Sequence, residues 1–182
     1  MYRELVKGMC AELEEALLGI DEARLDGLVE ALLGAKRIFV AGAGRTALLM
    51  KSMAMTLAQC GLPVEAVGEV TTHAIREGDL LVIGSASGST KTMRLFAETA
   101  RACGAGLALI TTHERSAVAD ISGHVLVMHS RSDTDSTRPS VNLMGNGYLH
   151  QLNLLVDLVI AGIMEKTGVT EEQMLNLHAN LE

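Results

Sequence analysis

The sequence has no tryptophan, two phenylalanines and two tyrosines. Proteins that hold single strands of nucleic acid lean on aromatic side chains for stacking, so that class is disfavoured at once. The charge balance disfavours duplexes too. Fifteen lysines and arginines face 22 aspartates and glutamates, a net charge of −7, with no basic cluster to neutralise phosphates. Cysteine is sparse: Cys10, Cys60 and Cys103 are odd in number and far apart, which excludes a disulfide framework and a C-x-x-C metal or redox site. Each falls in a helical stretch, where burial as a small hydrophobe is expected. No segment reaches the roughly 18 uninterrupted apolar residues of a membrane span. The start Met1-Tyr2-Arg3-Glu4-Leu5 lacks the apolar stretch of a signal peptide. The expectation is a cytoplasmic protein with neither a nucleic acid nor a membrane as partner.

What remains is aliphatic. Hydrophobic residues make up 48% of a 182-residue chain, so one domain with a core of Leu, Val, Ile, Ala and Met is expected, the ten methionines serving as core filler. Residues 4–33 read as amphipathic helices, with Leu5, Met9, Leu13 and Leu17 on one stripe and Leu25, Leu28, Val29 and Leu32 on another. Asp21 is a plausible N-cap of the second. Short apolar strands follow at 38–41, 64–67, 80–83, 107–110 and 125–128, separated by helices expected at 46–59, 90–103 and 116–119. Uniformly apolar strands alternating with helices imply a parallel sheet covered on both faces, an α/β doubly wound five-stranded layer. A polar stretch at 129–140 reads as a connector or a cover over a ligand, and a long helix at 142–166 is apolar nearly all round. Such a helix needs partners on every side, which predicts a homo-oligomer packed through it and the N-terminal helices.

The densest chemistry lies in Ile83-Gly84-Ser85-Ala86-Ser87-Gly88-Ser89-Thr90, directly after a strand. Four hydroxyl side chains and two glycines share those eight residues. Small glycines let backbone N–H groups approach an anion, hydroxyls add donors, and a helix starting near Ser89 points its positive end at the same place. Ser89 is also a candidate helix cap. A second glycine turn, Gly42-Ala43-Gly44-Arg45-Thr46, follows the first strand. In open parallel sheets ligands sit beyond the carboxyl ends of the strands, so the two turns can converge on one crevice. A phosphorylated metabolite is the expected ligand.

These landmarks, with Val67-Gly68-Glu69 and the closing His178-Ala179-Asn180-Leu181-Glu182, resemble the sugar isomerase (SIS) domain, and within it the 6-phospho-3-hexuloisomerases. The resemblance covers almost the whole chain as one SIS domain, with N-terminal helices over 1–35, an α/β sandwich over 36–140 and C-terminal helices over 141–182. It implies a flavodoxin-like fold, assembly as dimers or tetramers with sites shared between subunits, and isomerisation of a phosphorylated ketose without metal or nucleotide cofactor. By position, Ser85, Ser87 and Thr90 match the family's phosphate turn, and Gly44 and Arg45 its first substrate loop; Ser89 and Thr46, beside them in the two turns, are further candidate substrate-binding residues. His178 matches a C-terminal histidine that reaches a neighbouring subunit's site. The sequence departs from the pattern twice: Ser89 stands where the turn usually carries Glu, and Leu149 where a Glu is often assigned as the base. His150 lies one residue on, but a one-residue offset turns a helical side chain by about 100°.

Moving a carbonyl along a phosphosugar needs a base, a stabiliser for the enediolate and an acid that returns the proton. His178 and Glu69 are the candidate catalytic residues; a helix-terminal histidine and a loop cap are their plain structural alternatives. Arg45 is either a grip on phosphate or an ion-paired surface group. His73 is placed near the end of the second strand. His113, His124 and His129 have no metal-ligand spacing, so no metal site is expected. Two rival functions stay open. Gly42-x-Gly44-x-x-Ala47 with Glu65 about twenty residues on also fits a dinucleotide fingerprint. The loss of the helix Glu fits a phosphosugar sensor that does no chemistry.

Overall fold

A computed structural model describes residues 1–130 and 140–181. The expected connector at 129–140 therefore falls largely outside the described residues. Two N-terminal helices, α1 (Tyr2–Leu18) and α2 (Glu22–Gly34), precede the sheet. The break between them is encoded locally: Asp21 has an extended backbone and its side chain accepts the Arg24 N–H at 3.0 Å, capping α2. β1 (Ile38–Ala41), α3 (Arg45–Gln59), β2 (Val64–Ala66), β3 (Leu80–Gly84), α4 (Lys91–Ala102), β4 (Gly106–Thr111) and β5 (His124–Val127) follow, then α5 (Asn146–Thr167) and α6 (Glu171–Asn176). Three-residue 3₁₀ turns stand at Ala119–Ile121, where a helix was expected at 116–119, and at Leu143–Gly145.

The five strands are all parallel, in the order β2-β1-β3-β4-β5. This is the flavodoxin-like order, whose direction reverses between β1 and β3. Because side chains alternate along a strand, each buried strand feeds two cores. Ile38, Val40, Leu80, Val82, Ala108 and Ile110 meet α2, α3 and α5 on one face. Phe39, Ala41, Leu81, Ile83, Leu107 and Leu109 meet α4 on the other. The link from β2 to β3 is not a helix: residues 67–79 cross the α4 face as an irregular strap, with Val67 and Ile75 packed onto that core.

The long helix α5 satisfies the length and apolarity of a membrane span, yet Tyr148, Gln151, Leu152, Leu155, Val156, Val159, Ile160 and Ile163 are buried in the larger core. It is apolar because the sheet, α1, α2 and α3 surround it. Leu154 and Leu158 stay exposed. The expectation of buried cysteines is corrected at two sites. Cys10 faces out from α1, and Cys103, in the turn that ends α4, is also exposed. Cys60, in the corresponding turn after α3, is half-buried, and burial pushes its thiol pKa up.

A carboxylate fastens α1 to the chain entering α5. Glu12 accepts hydrogen bonds from Ser140 Oγ, the Val141 N–H and Asn142 Nδ2, each at 2.7 Å. Burial works against its charge, but these donors outweigh it and hold the pKa below the ordinary carboxylate value. A depressed carboxylate pKa adds stability above the unfolded value, and that contribution is lost as pH falls through the folded value. Glu12→Gln is expected to cost about 1–2 kcal/mol at neutral pH. In urea titrations across pH, the gap to wild type should close as the pH falls through the depressed folded-state value.

Candidate active site

The two glycine turns meet because β1 and β3 are neighbours in register, Ala41 opposite Ile83. Their contact is direct. A Cβ on Gly84 would stand 2.9 Å from Thr46 Cγ2 and 2.7 Å from Met50 Sδ, so only glycine lets α3 lie this close to the end of β3. Gly44, at φ 58°, ψ −132°, swings the chain from β1 into α3 in a conformation that L side chains rarely adopt. Gly44, Arg45, Thr46, Ser85, Ser87, Ser89 and Thr90 thus gather at the carboxyl edge of the sheet, at the point where strand order reverses.

Within the 85–90 turn, side chains bond to one another and leave backbone donors outward. Thr90, not Ser89, is the N-cap of α4: its backbone is extended, and its carbonyl accepts the Arg94 N–H at 2.9 Å. Yet the Thr90 hydroxyl does not cap the helix. It lies 3.4 Å from Ser85 Oγ, which is buried, leaving the first-turn amides of α4 without a side-chain acceptor. Ser87 Oγ accepts the Ser89 N–H at 3.3 Å, and Ser89 Oγ donates to the Ser87 carbonyl at 3.2 Å. The amides of Ala86, Ser87 and Thr90 donate to no other group among the described residues. A helix N-terminus uncapped by its own threonine, with free turn amides beside it, is arranged for an anion.

Residues that the sequence reading passed over complete the turn. The Ala86 carbonyl accepts from the Thr112 N–H at 3.0 Å and from the Thr111 and Thr112 hydroxyls at 2.9 Å each. His113 Nδ1 lies 3.2 Å from the same oxygen. Ser116 presses on Gly88, whose φ is +60°. Beneath the turn, the Tyr148 hydroxyl donates to the Ile110 carbonyl at 3.0 Å and also engages the Ser85 N–H, which itself donates to Ile110 at 3.0 Å. Burial of this phenol raises its pKa far above the ordinary value, so it stays a donor. The run Thr111-Thr112-His113 at the end of β4 was the available signal, since that strand end shares the edge with the other two.

Other predicted residues lie further out. Arg45 donates to the Met144 carbonyl at 2.8 Å and to Asn146 Oδ1, bracing α3 against the left-handed residues Met144 and Gly145 that start α5. It is therefore an exposed brace with donors to spare. Glu69 stands three residues beyond the edge strand β2 and pairs with Lys51 Nζ of α3 at 2.5 Å. Leu149 and His150 line one cleft with Leu13 of α1 and Arg45, Leu48 and Leu49 of α3. Tyr148 holds the side of α5 that meets the turn, and His150, two residues on, is rotated from it by about 200° around the helix. His178 follows α6 at the other end of the molecule. Leu177 lies against Gly61, just past the end of α3, while Arg45 begins that helix. Fifteen residues of α-helix separate those ends by about 22 Å. Within one chain His178 does not meet the turns.

Glu65 is already engaged: it binds the His73 N–H and His73 Nδ1 at 2.7 Å each and Arg37 at 3.1 Å. Burial opposes its charge, and the bonds and charges of His73 and Arg37 lower its pKa on balance. A ribose would have to displace all of these, so the dinucleotide reading loses its acidic anchor. Among the described residues no group of three or more His, Cys, Asp or Glu is placed to hold a metal ion.

Residues 31–151 match the SIS domain model. The chain belongs to the SIS domain family. Relatives of this SIS protein include the 3-hexulose-6-phosphate isomerase of Bacillus subtilis, 34% identical over 98% of both chains. That of Methylomonas aminofaciens is 32% identical over the whole of this chain and 98% of its own. A crystal structure of a hypothetical Methanococcus jannaschii protein, described as inferring a 3-hexulose-6-phosphate isomerase function, superposes with a TM-score of 0.84. It is 26% identical and covers 98% of this SIS domain chain and 99% of its own. The expectations of an SIS family member, a doubly wound parallel fold and the sugar-phosphate isomerase class agree with these relatives.

Proposed function

We propose that this SIS protein isomerises a phosphorylated ketohexose, 3-hexulose 6-phosphate to fructose 6-phosphate, through an enediolate. One observation carries the reading: a helix start whose N-cap threonine leaves the amides uncapped, at the β1/β3 reversal point and facing a second glycine turn. The phosphate dianion binds the amides of the 85–90 turn and α4, with Ser85, Ser87, Ser89 and Thr90 around it. Gly44, Arg45 and Thr46 face the sugar from the β1 turn, and Glu69 flanks it. Phosphate binding supplies energy remote from the reacting carbons and orients them. Because His178 lies far from its own turns, its role requires delivery from a second copy of the chain. The names of the relatives support the substrate.

Fructose 6-phosphate in deuterated buffer is the test, with NMR following deuterium uptake at the carbons beside the carbonyl. Uptake together with formation of the isomer is the expected result. Ser87→Ala should raise KM by about tenfold, the loss of roughly 1.4 kcal/mol of binding, with kcat little changed. His178→Ala should chiefly lower kcat; unchanged turnover would remove that residue from the mechanism. A second reading, a phosphosugar sensor without chemistry, is favoured by Leu149 in place of the base. It predicts that fructose 6-phosphate raises the melting temperature while no deuterium enters.

A further inference from the structure

The Leu149 departure leaves the isomerase reading without a base on α5, and the structure places another titratable group against the turn. His113 Nδ1 lies 3.2 Å from the Ala86 carbonyl and 2.9 Å from Thr112 Oγ1. A carbonyl only accepts, and the Thr112 hydroxyl proton is itself directed to Ala86 at 2.9 Å. With the Thr112 proton on Ala86, both neighbours of Nδ1 present lone pairs, an arrangement that favours the proton on Nδ1 and the lone pair on Nε2. The residue is exposed just past the end of β4, on the same carboxyl edge of the sheet as the turn. A neutral Nε2 repels a phosphate oxygen and suits a donor or an acidic C–H, which separates His113 from the anion-binding amides.

No other histidine is so placed among the described residues. His73 is bound to Glu65, His150 lies in the cleft between α1, α3 and α5 with no bond to the turn, and His129 packs near Gly19. His124 opens β5 at the opposite edge of the sheet. The charges around His113 are paired off. Glu114 meets Arg24 of α2 at 3.1 Å and Arg115 meets Asp120 at 2.8 Å, while Lys91 opens α4 beyond the turn.

We propose that His113 Nε2 is the group that takes the carbon-bound proton at this site, performing in cis what the missing helix glutamate would do beside His178 of a second copy; this rests on the isomerase reading above. Nε2 takes the proton from the hydroxyl-bearing carbon beside the carbonyl. The C–H electron pair becomes the C=C bond, and the carbonyl oxygen becomes the enediolate oxyanion. The hydroxyl proton shifts to that oxygen, and the imidazolium returns its proton to the former carbonyl carbon. The carbonyl has moved by one carbon with no oxidant, reductant or co-reactant consumed.

The test uses the full-length protein, wild type beside His113→Gln and His113→Ala, with fructose 6-phosphate in deuterated buffer across pH 5 to 9. Both variants should lose about 100-fold in kcat with KM within about threefold, the usual scale of a general acid–base contribution. The acidic limb of the wild-type kcat profile should vanish, and added imidazole should restore part of the turnover of His113→Ala. Turnover retained with an unaltered pH profile overturns the proposal. So does a raised KM at unchanged kcat, which would make His113 a binding residue. If wild type itself exchanges no deuterium although the sugar phosphate raises its melting temperature, the isomerase reading falls and this proposal with it. An active wild type beside an equally active His113→Gln rejects only the proposal.

Discussion

Gly88→Ala is expected to abolish measurable phosphosugar binding while leaving a folded but weakened protein. At φ +60° alanine carries a steric cost of about 1 kcal/mol that glycine does not. The added Cβ would also stand 2.1 Å from Ser116 Oγ and 2.8 Å from Ser116 Cβ, an overlap that something must relieve. Ser116 cannot move freely, because its hydroxyl accepts the Ala119 N–H at 3.1 Å, and the Gly88 carbonyl accepts the Val118 N–H at 3.1 Å. Relief therefore comes from the turn itself, and overpacking of this kind costs about 1–3 kcal/mol. Together these predict a loss of about 2–4 kcal/mol in chemical denaturation. The amides around Gly88 would be re-aimed, so the ligand-induced rise in melting temperature should disappear. A variant that still shows the wild-type shift would move the anion site away from this turn.

The fold was legible because its signals are local and repeated. Uniformly apolar strands announced a sheet covered on both faces, and Asp21 marked the start of α2 three residues before the N–H that it caps. The glycine turns were legible for the same reason: each follows a strand and opens a helix. What the sequence hid depends on partners distant in the chain. Ser89 looked like a cap because it precedes a helical stretch, but the choice between Ser89 and Thr90 turned on backbone geometry and on the contact of Thr90 with Ser85. His113 has no metal-ligand spacing in the sequence, and its contact with the Ala86 carbonyl, 27 residues back in the chain, exists only in the fold. Burial of Cys10 and Cys103 was inferred from residue type, whereas helix face and the turn after α4 decided it. The distance of His178 from its own turns was invisible to any reading along the chain.

Tyr148 gives the other large effect, and a pair of substitutions separates its two contributions. Its ring is fully buried where α5 meets the edge of the sheet, and its hydroxyl shares the Ile110 carbonyl with the Ser85 N–H. Tyr148→Ala removes the ring and opens a cavity under the turn, with an expected cost of about 3–5 kcal/mol, the range for truncating a large buried aromatic side chain. Tyr148→Phe keeps the ring and removes the hydroxyl, at an expected cost of about 1 kcal/mol, because Ile110 retains its bond from Ser85. The functional split should run the same way. With phenylalanine the turn keeps its amides but loses a tie to α5, so KM should rise a few-fold with kcat nearly unchanged. With alanine the floor of the turn and the first turn of α5 both lose support, so binding and turnover should fail together. Urea denaturation and steady-state kinetics on the two variants check this. Equal losses in both would mean that the hydroxyl, not the packed ring, secures the turn to α5.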